Sequence, residues 1–262
     1  MGLLAENRYN YILEQLRTNG RIKVCEIAEE LNVTEVTIRR DLSAMQRDGI
    51  LKKTYGGAVL IGPADNNIFL STRKTKNIQA KKIIGKLAAA MIKDGDNIYL
   101  EAGSTCNEII PYLAEKTGLT IIVNSINLMM RLHEQPQHKI IITGGQYRPE
   151  TMDMIGPTAE ATIKQLGGFT AFTSADDISM DSGISGADIA TVSFTKVILK
   201  RASRAIFVGT RRKFDRAALY KIADLSELEA IITDSKPSEQ WHIAAAQNNV
   251  KLIYPDESID EE

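Results

Sequence analysis

The segment from residue 24 to residue 48, VCEIAEELNVTEVTIRRDLSAMQRD, constrains the fold most strongly, because it predicts two short amphipathic helices joined by a tight polar corner. In the first helix, apolar residues recur at i, i+3, i+4 and i+7 from Val24 onward, and in the second Ile38 begins a repeat at i, i+4 and i+7. Thr34 lies where a hydroxyl can accept hydrogen bonds from the free N–H groups that open the second helix. Proteins present a helix to DNA in this way.

The outward face of the second helix carries short polar groups and arginines, which suit the base edges and phosphates of the major groove. Two β-prone runs around Gly56 and Gly57 follow and predict a wing. The alternative is an ordinary pair of surface helices with a solvated charged face, and the complete order of leading helix, corner, arginine helix and basic hairpin disfavours it. The residues predicted to contact DNA are Thr34, Glu35, Val36, Thr37, Arg39, Arg40, Ser43, Arg47, Lys52, Lys53 and Tyr55.

The basic character of this segment is local and mild. Residues 33–60 contain five Lys and Arg against three Asp and Glu, a net charge of +2, whereas the whole chain carries a formal net charge of −1. Because phosphate contacts dominate non-specific DNA affinity, a single module of this charge should bind weakly. We therefore expect a homo-oligomer, a dimer or a tetramer, in which several modules bind together.

Length and composition fit a globular chain with one small and one large domain, since 44% of the 262 residues are hydrophobic and 25% are charged. We predict a winged helix-turn-helix domain over residues 1–60, a linker over 61–77, an α/β domain over 78–255 and an acidic tail over 256–262. No apolar run approaches the roughly 20 residues of a membrane helix, and the pattern of a signal peptide is not recognisable.

The cysteines and histidines give no sign of a metal or catalytic centre. Cys25 and Cys106 lie in predicted helices without partners at metal-binding spacing, and we expect both to be buried in a reducing compartment, by default the cytoplasm. His133, His138 and His242 are each expected to be a surface or capping residue, because a lone histidine lacks the orienting partner that catalysis requires. We assign no catalytic residue, no metal and no cofactor.

After residue 95, short β-branched and aliphatic runs alternate with helical patterns. Near-continuous apolar strands in such an alternation predict a doubly wound, mostly parallel sheet that is covered by helices on both faces. The predicted strands are 97–100, 119–123, 139–143, 170–173, 205–208, 230–233 and 250–254. The predicted helices are 78–92, 105–116, 126–134, 159–166, 191–201 and 238–248.

Polar groups follow successive predicted strands, at the edge where such sheets bind ligands. Gly103, Ser104 and Thr105 come after the first strand, at the start of a predicted helix whose free N–H groups and positive dipole end suit a phosphate. The same edge carries Asn124, Ser125, Gly144, Gly145, Asp176, Asp177 and Lys213. Each residue alone also has a structural explanation as a cap, a turn or a surface group, but their convergence favours a ligand site.

The whole chain resembles the DeoR-type bacterial transcriptional regulators. The N-terminal part is similar to their helix-turn-helix in Glu26-Ile-Ala, Leu31-Asn-Val, Thr37-Ile-Arg-Arg-Asp-Leu, Gly49-Ile-Leu and Tyr55-Gly-Gly-Ala. The C-terminal part is similar to their sensor domain in Gly95-Asp, Glu101-Ala-Gly-Ser-Thr, Asn124-Ser, Gly144-Gly, Gly156 and Lys213-Phe.

This resemblance implies a sensor domain related in fold to ribose-5-phosphate isomerase. Such a domain binds a phosphorylated sugar or related metabolite and thereby changes the affinity of an oligomer for operator DNA. By position, Gly103, Ser104 and Thr105 would hold the phosphate. The effector-binding residues expected from the strand ends and the resemblance together are Arg73, Lys81, Glu101, Gly103, Ser104, Thr105, Asn124, Ser125, Gly144, Gly145, Asp176 and Lys213.

The chain also departs from the family pattern. Thr210-Arg-Arg-Lys-Phe stands where family members usually have Asp-Ser-Ser-Lys-Phe, Ala190 and Thr191 replace glutamates, and Asp177 replaces a glycine. An aldose-ketose isomerase needs a positioned base, so loss of the carboxylate predicts that the chain has no isomerase activity. The two added arginines either favour a more acidic ligand, such as a sugar acid, or are merely exposed.

The leading hypothesis is a cytoplasmic DNA-binding regulator that represses a carbohydrate-catabolic operon and is relieved by a phosphorylated sugar, polyol or sugar acid. Its expected partners are operator DNA, the effector and further copies of the chain, without a membrane. One alternative is a phosphosugar isomerase or lyase with an appended nucleic-acid domain. The other is a regulator whose C-terminal domain only forms the oligomer.

Overall fold

A computed structural model describes residues 5–19, 21–47, 51–60, 77–149 and 151–255. The chain divides into two compact units, residues 1–73 and 74–262. Arg73, the acidic tail and the predicted linker up to residue 76 lie outside the described residues. None of the described helices is both long and apolar enough to cross a membrane.

The first unit combines three helices with a three-stranded antiparallel sheet whose strand order is β1-β3-β2. The apolar residues of the three helices pack together in one core, and Tyr9 is only partly buried against it. Five of these residues are fully inaccessible to solvent: Ile12, Leu16, Ile38, Leu42 and Met45. Its elements are α1 (Ala5–Asn19), β1 (Arg21–Lys23), α2 (Val24–Glu30), α3 (Glu35–Arg47), β2 (Leu51–Thr54) and β3 (Gly57–Leu60). This is a winged helix-turn-helix arrangement, as the periodicity predicts.

Two details of the first unit differ from the sequence-based expectation. Strand β1 was not predicted, because three residues with a single inward side chain, Ile22, carry no readable period. Cys25 is exposed rather than buried, since it lies on α2 beside the apolar stripe and not within it. The corner after α2 contains Asn32 with a φ of 50°, a left-handed conformation that asparagine adopts more readily than most residues.

The second unit is built on a seven-stranded sheet with the order β15-β14-β12-β9-β4-β5-β6. Every neighbouring pair in it is parallel. Its strands are β4 (Asn97–Leu100), β5 (Thr120–Val123), β6 (Lys139–Ile142), β9 (Thr170–Thr173), β12 (Arg204–Val208), β14 (Ala230–Ile232) and β15 (Lys251–Ile253). The helices are α4 (Ile78–Ala90), α5 (Ile126–Leu132), α6 (Pro157–Lys164), α7 (Ile189–Arg201) and α8 (Glu239–Gln247).

Helices cover both faces of this sheet, so the predicted doubly wound α/β architecture is confirmed. Ile98 and Leu100 of β4 join a core with Ile84 of α4, whereas Tyr99, between them, joins a core with Phe194 of α7. Because successive strand side chains point to opposite faces, this alternation requires cover on each side. The run of buried aliphatic residues that predicted the strands reflects this double burial.

Two short antiparallel elements accompany the sheet and were not predicted. One is the hairpin of β7 (Gln146–Arg148) and β8 (Asp153–Ile155). The other is a three-stranded sheet of β10 (Asp177–Ser179), β11 (Gly183–Gly186) and β13 (Tyr220–Ala223). These strands lack the continuous apolar runs from which the equally short strands of the main sheet were predicted.

One further expectation for the second unit is wrong, and the expectation that His138 is a surface or capping residue is met only as a contact with a carbonyl at a helix end. The segment 105–116 is not one α-helix but two 3₁₀ helices, Cys106–Glu108 and Ile110–Glu115, and Pro111 explains this because it lacks an N–H and disfavours an α conformation in the residue before it. His138 is buried rather than exposed, and its Nε2 donates to the Leu113 carbonyl oxygen at 3.0 Å.

Candidate DNA-binding surface and effector site

Helix α3, called the recognition helix from here on, is capped and amphipathic. The Thr34 hydroxyl accepts a hydrogen bond from the Thr37 backbone N–H at 3.3 Å, which satisfies one of the donors that open the helix. Ile38, Leu42 and Met45 are fully buried, so the opposite face is open to solvent. The exposed residues of that face are Val36, Arg40 and Arg47.

Several predicted contact residues are engaged within the unit. The Arg39 guanidinium donates to the Glu35 carboxylate, one turn earlier on the recognition helix, at 2.9 Å. Ser43 Oγ donates to the Arg39 carbonyl oxygen at 2.6 Å and accepts a hydrogen bond from Lys53 Nζ at 2.9 Å. Arg40 forms no ion pair that we find within the described ranges, so it is the more available of the two adjacent arginines for DNA.

The wing is joined to the recognition helix by a second contact. The Lys53 backbone N–H donates to Gln46 Oε1 at 2.9 Å, and β2 is an edge strand, so this contact satisfies a donor that the sheet leaves unused. Tyr55, in the turn between β2 and β3, is fully exposed. For Lys52, the described structure covers the backbone alone.

The order in which the chain adds strands to the seven-stranded sheet changes direction between β4 and β9. The chain proceeds from β4 to β5 and β6 on one side, whereas β9, β12, β14 and β15 follow on the other. The carboxyl ends of strands at such a switch point flank the usual ligand crevice. Glu101 directly follows β4, Ser174 directly follows β9, and the Ser174 N–H donates to the Glu101 carboxylate at 2.7 Å.

Glu101 anchors this switch point. The hydroxyls of Thr173 and Thr195 also donate to its carboxylate, so that β4, β9 and α7 are tied together by one buried group. Burial raises the pKa of Glu101, and the three hydrogen bonds together with the Lys213 ammonium act in the opposite direction. These contacts of Glu101 are structural, and its part in effector binding stays a prediction.

Lys213 brings a positive charge to the same edge. It belongs to the 3₁₀ helix Arg211–Lys213, after β12, and is half-buried. Its Nζ donates to Ser174 Oγ at 2.7 Å and to the Ala175 carbonyl oxygen at 2.5 Å. An ammonium group and a hydroxyl therefore lie side by side at the switch point, where an anionic ligand can be bound by both.

The loop after β4 has room beside it. A Cβ added at Gly103 would meet no atom within 4 Å, and we find no hydrogen bond of the Ser104 hydroxyl within the described ranges. Thr105 precedes the first 3₁₀ helix without a side-chain cap. Because that helix has only three residues, the dipole expected at this point is weak, and anion binding would depend on hydroxyls, backbone N–H groups and Lys213.

Asn124 and Ser125, after β5, are buried and hydrogen-bonded within the unit. Asn124 Oδ1 accepts from the Tyr99 hydroxyl at 3.0 Å and from the Ala102 N–H at 3.2 Å. Ser125 Oγ caps α5 by accepting from the Leu128 N–H at 3.4 Å. The Asn124 contact fixes the start of the loop that leads to Gly103, whereas the Ser125 contact fixes the start of α5.

Gly144 and Gly145 set the path from β6 into the β7–β8 hairpin. Gly145 has a φ of 111°, and a Cβ there would lie 2.6 Å from the Ile155 carbonyl oxygen and 2.8 Å from the Ala159 Cβ. No other residue type fits such a close approach. The structure thus gives Gly145 a packing role in addition to its place at the predicted edge.

Asp176 and Asp177 follow β9 at this edge. Asp176 Oδ2 accepts from the Ala187 N–H at 2.9 Å, and Asp177 lies beside Arg216 at 3.8 Å. Burial raises the pKa of Asp177, against the lowering effect of Arg216. Lys81 is buried in the first turns of α4.

A polar network that the sequence did not reveal holds the hairpin against α7. Arg148 donates to both oxygens of Asp153 at 2.8 and 2.6 Å, to the Asp188 carboxylate, and to the Thr191 hydroxyl at 2.8 Å. Asp188 also caps α7 by accepting from the Ala190 and Thr191 N–H groups. The hairpin and the start of α7 lie far apart in the sequence, so no local motif could have identified the network that joins them.

Within the described ranges, His, Cys, Asp and Glu residues form no group that could hold a metal ion.

Residues 8–64 match the model of the DeoR-like helix-turn-helix domain, and residues 76–235 match that of the DeoR C terminal sensor domain. The chain belongs to the DeoR family of transcriptional regulators. The family resemblance inferred from the sequence motifs is thereby confirmed.

Relatives within the DeoR family are similar over nearly their full length. The lactose phosphotransferase system repressor of Lactococcus lactis is 30% identical over 90% of this chain and 93% of its own. The L-fucose operon activator of Haemophilus influenzae is 30% identical over 94% and 98%. Among solved structures, ribose 5-phosphate isomerase A from Methanocaldococcus jannaschii shares 17% identity over 53% of this chain and 55% of its own, with a TM-score of 0.40. Such a partial overlap does not establish a shared fold or activity.

The two arginines that distinguish this DeoR-family chain have different surroundings. The Arg211 guanidinium donates to Asp215 at 3.0 Å and lies 4.7 Å from the centre of the Phe214 ring, so Arg211 is held within its own loop. Arg212 is exposed and contacts Asn77, at the start of α4, at 3.5 Å. Of the two added charges, Arg212 is thus the one that is exposed to solvent.

Proposed function

We propose that this DeoR-family regulator represses a carbohydrate-catabolic operon. A phosphorylated sugar, polyol or sugar acid, bound at the carboxyl edge of the seven-stranded sheet, controls its affinity for operator DNA. The observation that carries this proposal is the meeting of Lys213 and Ser174 beside the buried carboxylate of Glu101, at the switch point between β4 and β9.

The chemistry of this edge suits a phosphate ester. Lys213 supplies a positive charge that is already oriented by two hydrogen bonds, which lowers the entropic cost of binding. The open space at Gly103 lets a phosphate approach the backbone, and Ser104 and Thr105 add hydroxyl donors. Lys81, Asn124, Ser125 and Asp176 belong to the same proposed site, in part through the structural contacts described above, whereas the assignment of Arg73 stays a prediction.

The names of the relatives support a role in carbohydrate metabolism. The lactose phosphotransferase system repressor and the L-fucose operon activator are both named for sugar systems, although one represses and the other activates. We place the regulator in the cytoplasm, where operator DNA and phosphorylated metabolites occur together. We also propose that it acts as a dimer or tetramer, because the net charge of +2 over residues 33–60 is too small for strong binding by one module.

Control would follow from a shift between two arrangements of the oligomer. An effector can change DNA affinity only by as much as it prefers one arrangement over the other. On this view the effector site and the recognition helices are two distinct sites that bias one equilibrium.

We further infer that the chain is not an isomerase. Moving a proton between adjacent carbons requires a base with a free and positioned acceptor. Glu101 is occupied by three donors, and Asp176 holds the Ala187 N–H. Turnover of ribose 5-phosphate by the purified protein, lost on replacement of Asp176 or Asp177, would establish the enzymatic alternative instead.

The test begins with operator DNA obtained by selection from a random duplex library with the full-length protein. Fluorescence anisotropy then measures operator affinity with and without each member of a panel of phosphorylated sugars, polyols and sugar acids. We expect one class to weaken operator binding. Lys213→Met should weaken that response roughly tenfold or more, the loss expected for a hydrogen bond to a charged group, while leaving operator affinity without effector unchanged.

Lys200→Met is the matched control, because Lys200 is an exposed lysine in the last turn of α7, which leads back to the opposite edge of the sheet. It should leave the response intact. Selection without enrichment would contradict the DNA-binding function. Enrichment together with silence across the panel, in anisotropy and in calorimetry, would favour the alternative that the second unit only forms the oligomer.

A further inference from the structure

Val36 is an apolar residue on the solvent-facing side of the recognition helix. It is 75% exposed, whereas the other large aliphatic residues of the recognition helix, Ile38, Leu42 and Met45, are fully buried. A β-branched residue loses rotamer freedom in a helix, and an exposed one contributes little to the core. The stability of the unit therefore gives no reason for a valine at this position.

The polar groups on either side of Val36 are occupied with one another. The hydroxyls of Thr34 and Thr37 are hydrogen-bonded at 3.0 Å, and the Glu35 carboxylate is paired with Arg39 at 2.9 Å. The second residue of the recognition helix thus presents two methyl groups to solvent between polar neighbours that already have partners. One turn later, Arg40 extends from the same face.

The partner that suits this arrangement is thymine. The N-terminal residues of a recognition helix are those that reach base edges in the major groove. The C5 methyl of thymine is the apolar group that the four bases offer there, and aliphatic side chains contact it. An arginine four residues later can then reach a guanine edge or a phosphate.

We propose that Val36 is a specificity-determining residue, and that its isopropyl group packs against the C5 methyl of a thymine in each operator half-site. The contact fixes an A·T pair at that position, and Arg40 contacts a neighbouring base or phosphate. This inference rests on the DNA-binding function of the family and does not depend on the effector proposed above.

The test uses a chemical change of one methyl group. In operator duplexes selected from a random library by the full-length protein, each thymine is replaced in turn by deoxyuridine, which removes the C5 methyl and leaves base pairing intact. Fluorescence anisotropy should show one position per half-site at which the wild type binds about fourfold more weakly, the factor that corresponds to burial of one methyl group. At that position 5-methylcytosine, paired with guanine, should bind more tightly than cytosine.

Val36→Ala connects the effect to the side chain. The variant should bind the selected operator more weakly than the wild type and should bind the thymine and deoxyuridine duplexes equally well. Because the side chain is exposed and alanine favours a helix, circular dichroism and the Tm should remain those of the wild type. Met130→Ala, which alters an exposed aliphatic residue of the second unit, should keep the fourfold ratio.

Two results would overturn the proposal. In one, the wild type is insensitive to removal of the methyl group at every thymine. In the other, Val36→Ala keeps the same thymine to deoxyuridine ratio, and a change in sedimentation coefficient would then assign Val36 to a contact between copies of the chain. Failure of the selection to enrich any sequence would instead count against DNA binding itself.

Discussion

The ammonium group of Lys53, on the second strand of the first unit, donates a hydrogen bond to the hydroxyl of Ser43, in the recognition helix, at 2.9 Å. Ser43 in turn donates to the Arg39 carbonyl oxygen. A residue that the sequence suggested as a DNA contact thus has a positioning role, since it sets the wing lysine against the helix. Its hydroxyl can serve DNA binding through Lys53 rather than by touching a base.

Ser43→Ala should therefore weaken operator binding about three- to tenfold, because the lysine loses the partner that orients it, while the Tm changes little at a partly exposed site. Anisotropy and calorimetric melting measure the two effects. The matched control is Thr162→Ala, which removes the same kind of bond to the preceding turn, from Thr162 Oγ1 to the Thr158 carbonyl oxygen at 3.2 Å, in the other unit. If both variants lost operator affinity equally, the Ser43–Lys53 contact would have no special part in binding.

Arg39 and Arg40, which are adjacent on the recognition helix, should contribute differently to operator affinity. Arg39 is paired with Glu35, and an exposed pair of this kind must be broken or shared before Arg39 can bind a phosphate. Arg40→Ala should cost about 1–3 kcal/mol of operator affinity if Arg40 reads a base, or reduce the slope of log K against log salt by about 1 if it binds a phosphate. Arg39→Ala should cost less, and the reverse order, measured by salt titration, would contradict this assignment.

The backbone at Gly145 should be intolerant of any side chain. Gly145→Ala places a Cβ 2.6 Å from a carbonyl oxygen at a positive φ, so we expect a loss of stability of about 2 kcal/mol or more from strain and overlap. Urea unfolding measures the loss. Gly103→Ala, where a Cβ meets no atom within 4 Å, should leave the unfolding free energy within about 0.5 kcal/mol of the wild type. Equal stability of the two variants would show that the hairpin can move away from β6 at little cost.

The Arg148 network should add a pH dependence to stability. Partial burial acts to raise the pKa of Asp188, but hydrogen bonds from Thr191 and Arg148 outweigh it and hold that pKa below its ordinary value. A lowered folded-state pKa means that the stabilisation is complete above the unfolded pKa of about 4 and is lost as the pH falls below it.

Asp188→Asn keeps a capping side chain and removes the charge. Its Tm should lie a few degrees below that of the wild type at about pH 7, and the difference should shrink as the pH falls below about 4. Asp181→Asn is the control, because Asp181 is an exposed carboxylate for which we find no ion pair in the described part of the chain. A Tm difference for Asp188→Asn that does not depend on pH would mean that the pairing with Arg148 contributes nothing beyond the cap.

The elements that could be predicted from the sequence are those with a periodic or continuous apolar pattern. The stripe from Ile38 to Met45 and the apolar runs of β4 and β9 are periodic or continuous over several turns or residues, so they can be read locally. Strand β1 could not be predicted, because it has a single apolar residue between two charged ones. The 3₁₀ helix Ile110–Glu115 could not be predicted either, because Pro111 altered a helix that the apolar pattern alone allowed.

For the candidate site, the sequence indicated which strand ends would meet but not how the side chains would be used. Glu101 and Thr195 are 94 residues apart and make a direct hydrogen bond, and Thr195 lies in the middle of a helix without any local motif. Asn124 and Ser125 follow β5 at this edge, and their polar atoms are hydrogen-bonded to the backbone. The tertiary fold brings such hydrogen-bond partners together, so the sequence alone does not identify them.

The hydrogen bond from the Lys53 N–H to Gln46 Oε1 bears on whether the edge strand β2 can pair with strands of other molecules. An uncovered outer strand offers a row of unused donors and acceptors, along which strands from other molecules can add and start aggregation. Gln46 occupies one of those donors in the middle of β2, so it interrupts the row. In the proposed oligomer, several wings would lie close together on one piece of DNA, and we expect Gln46 to help keep their edge strands apart.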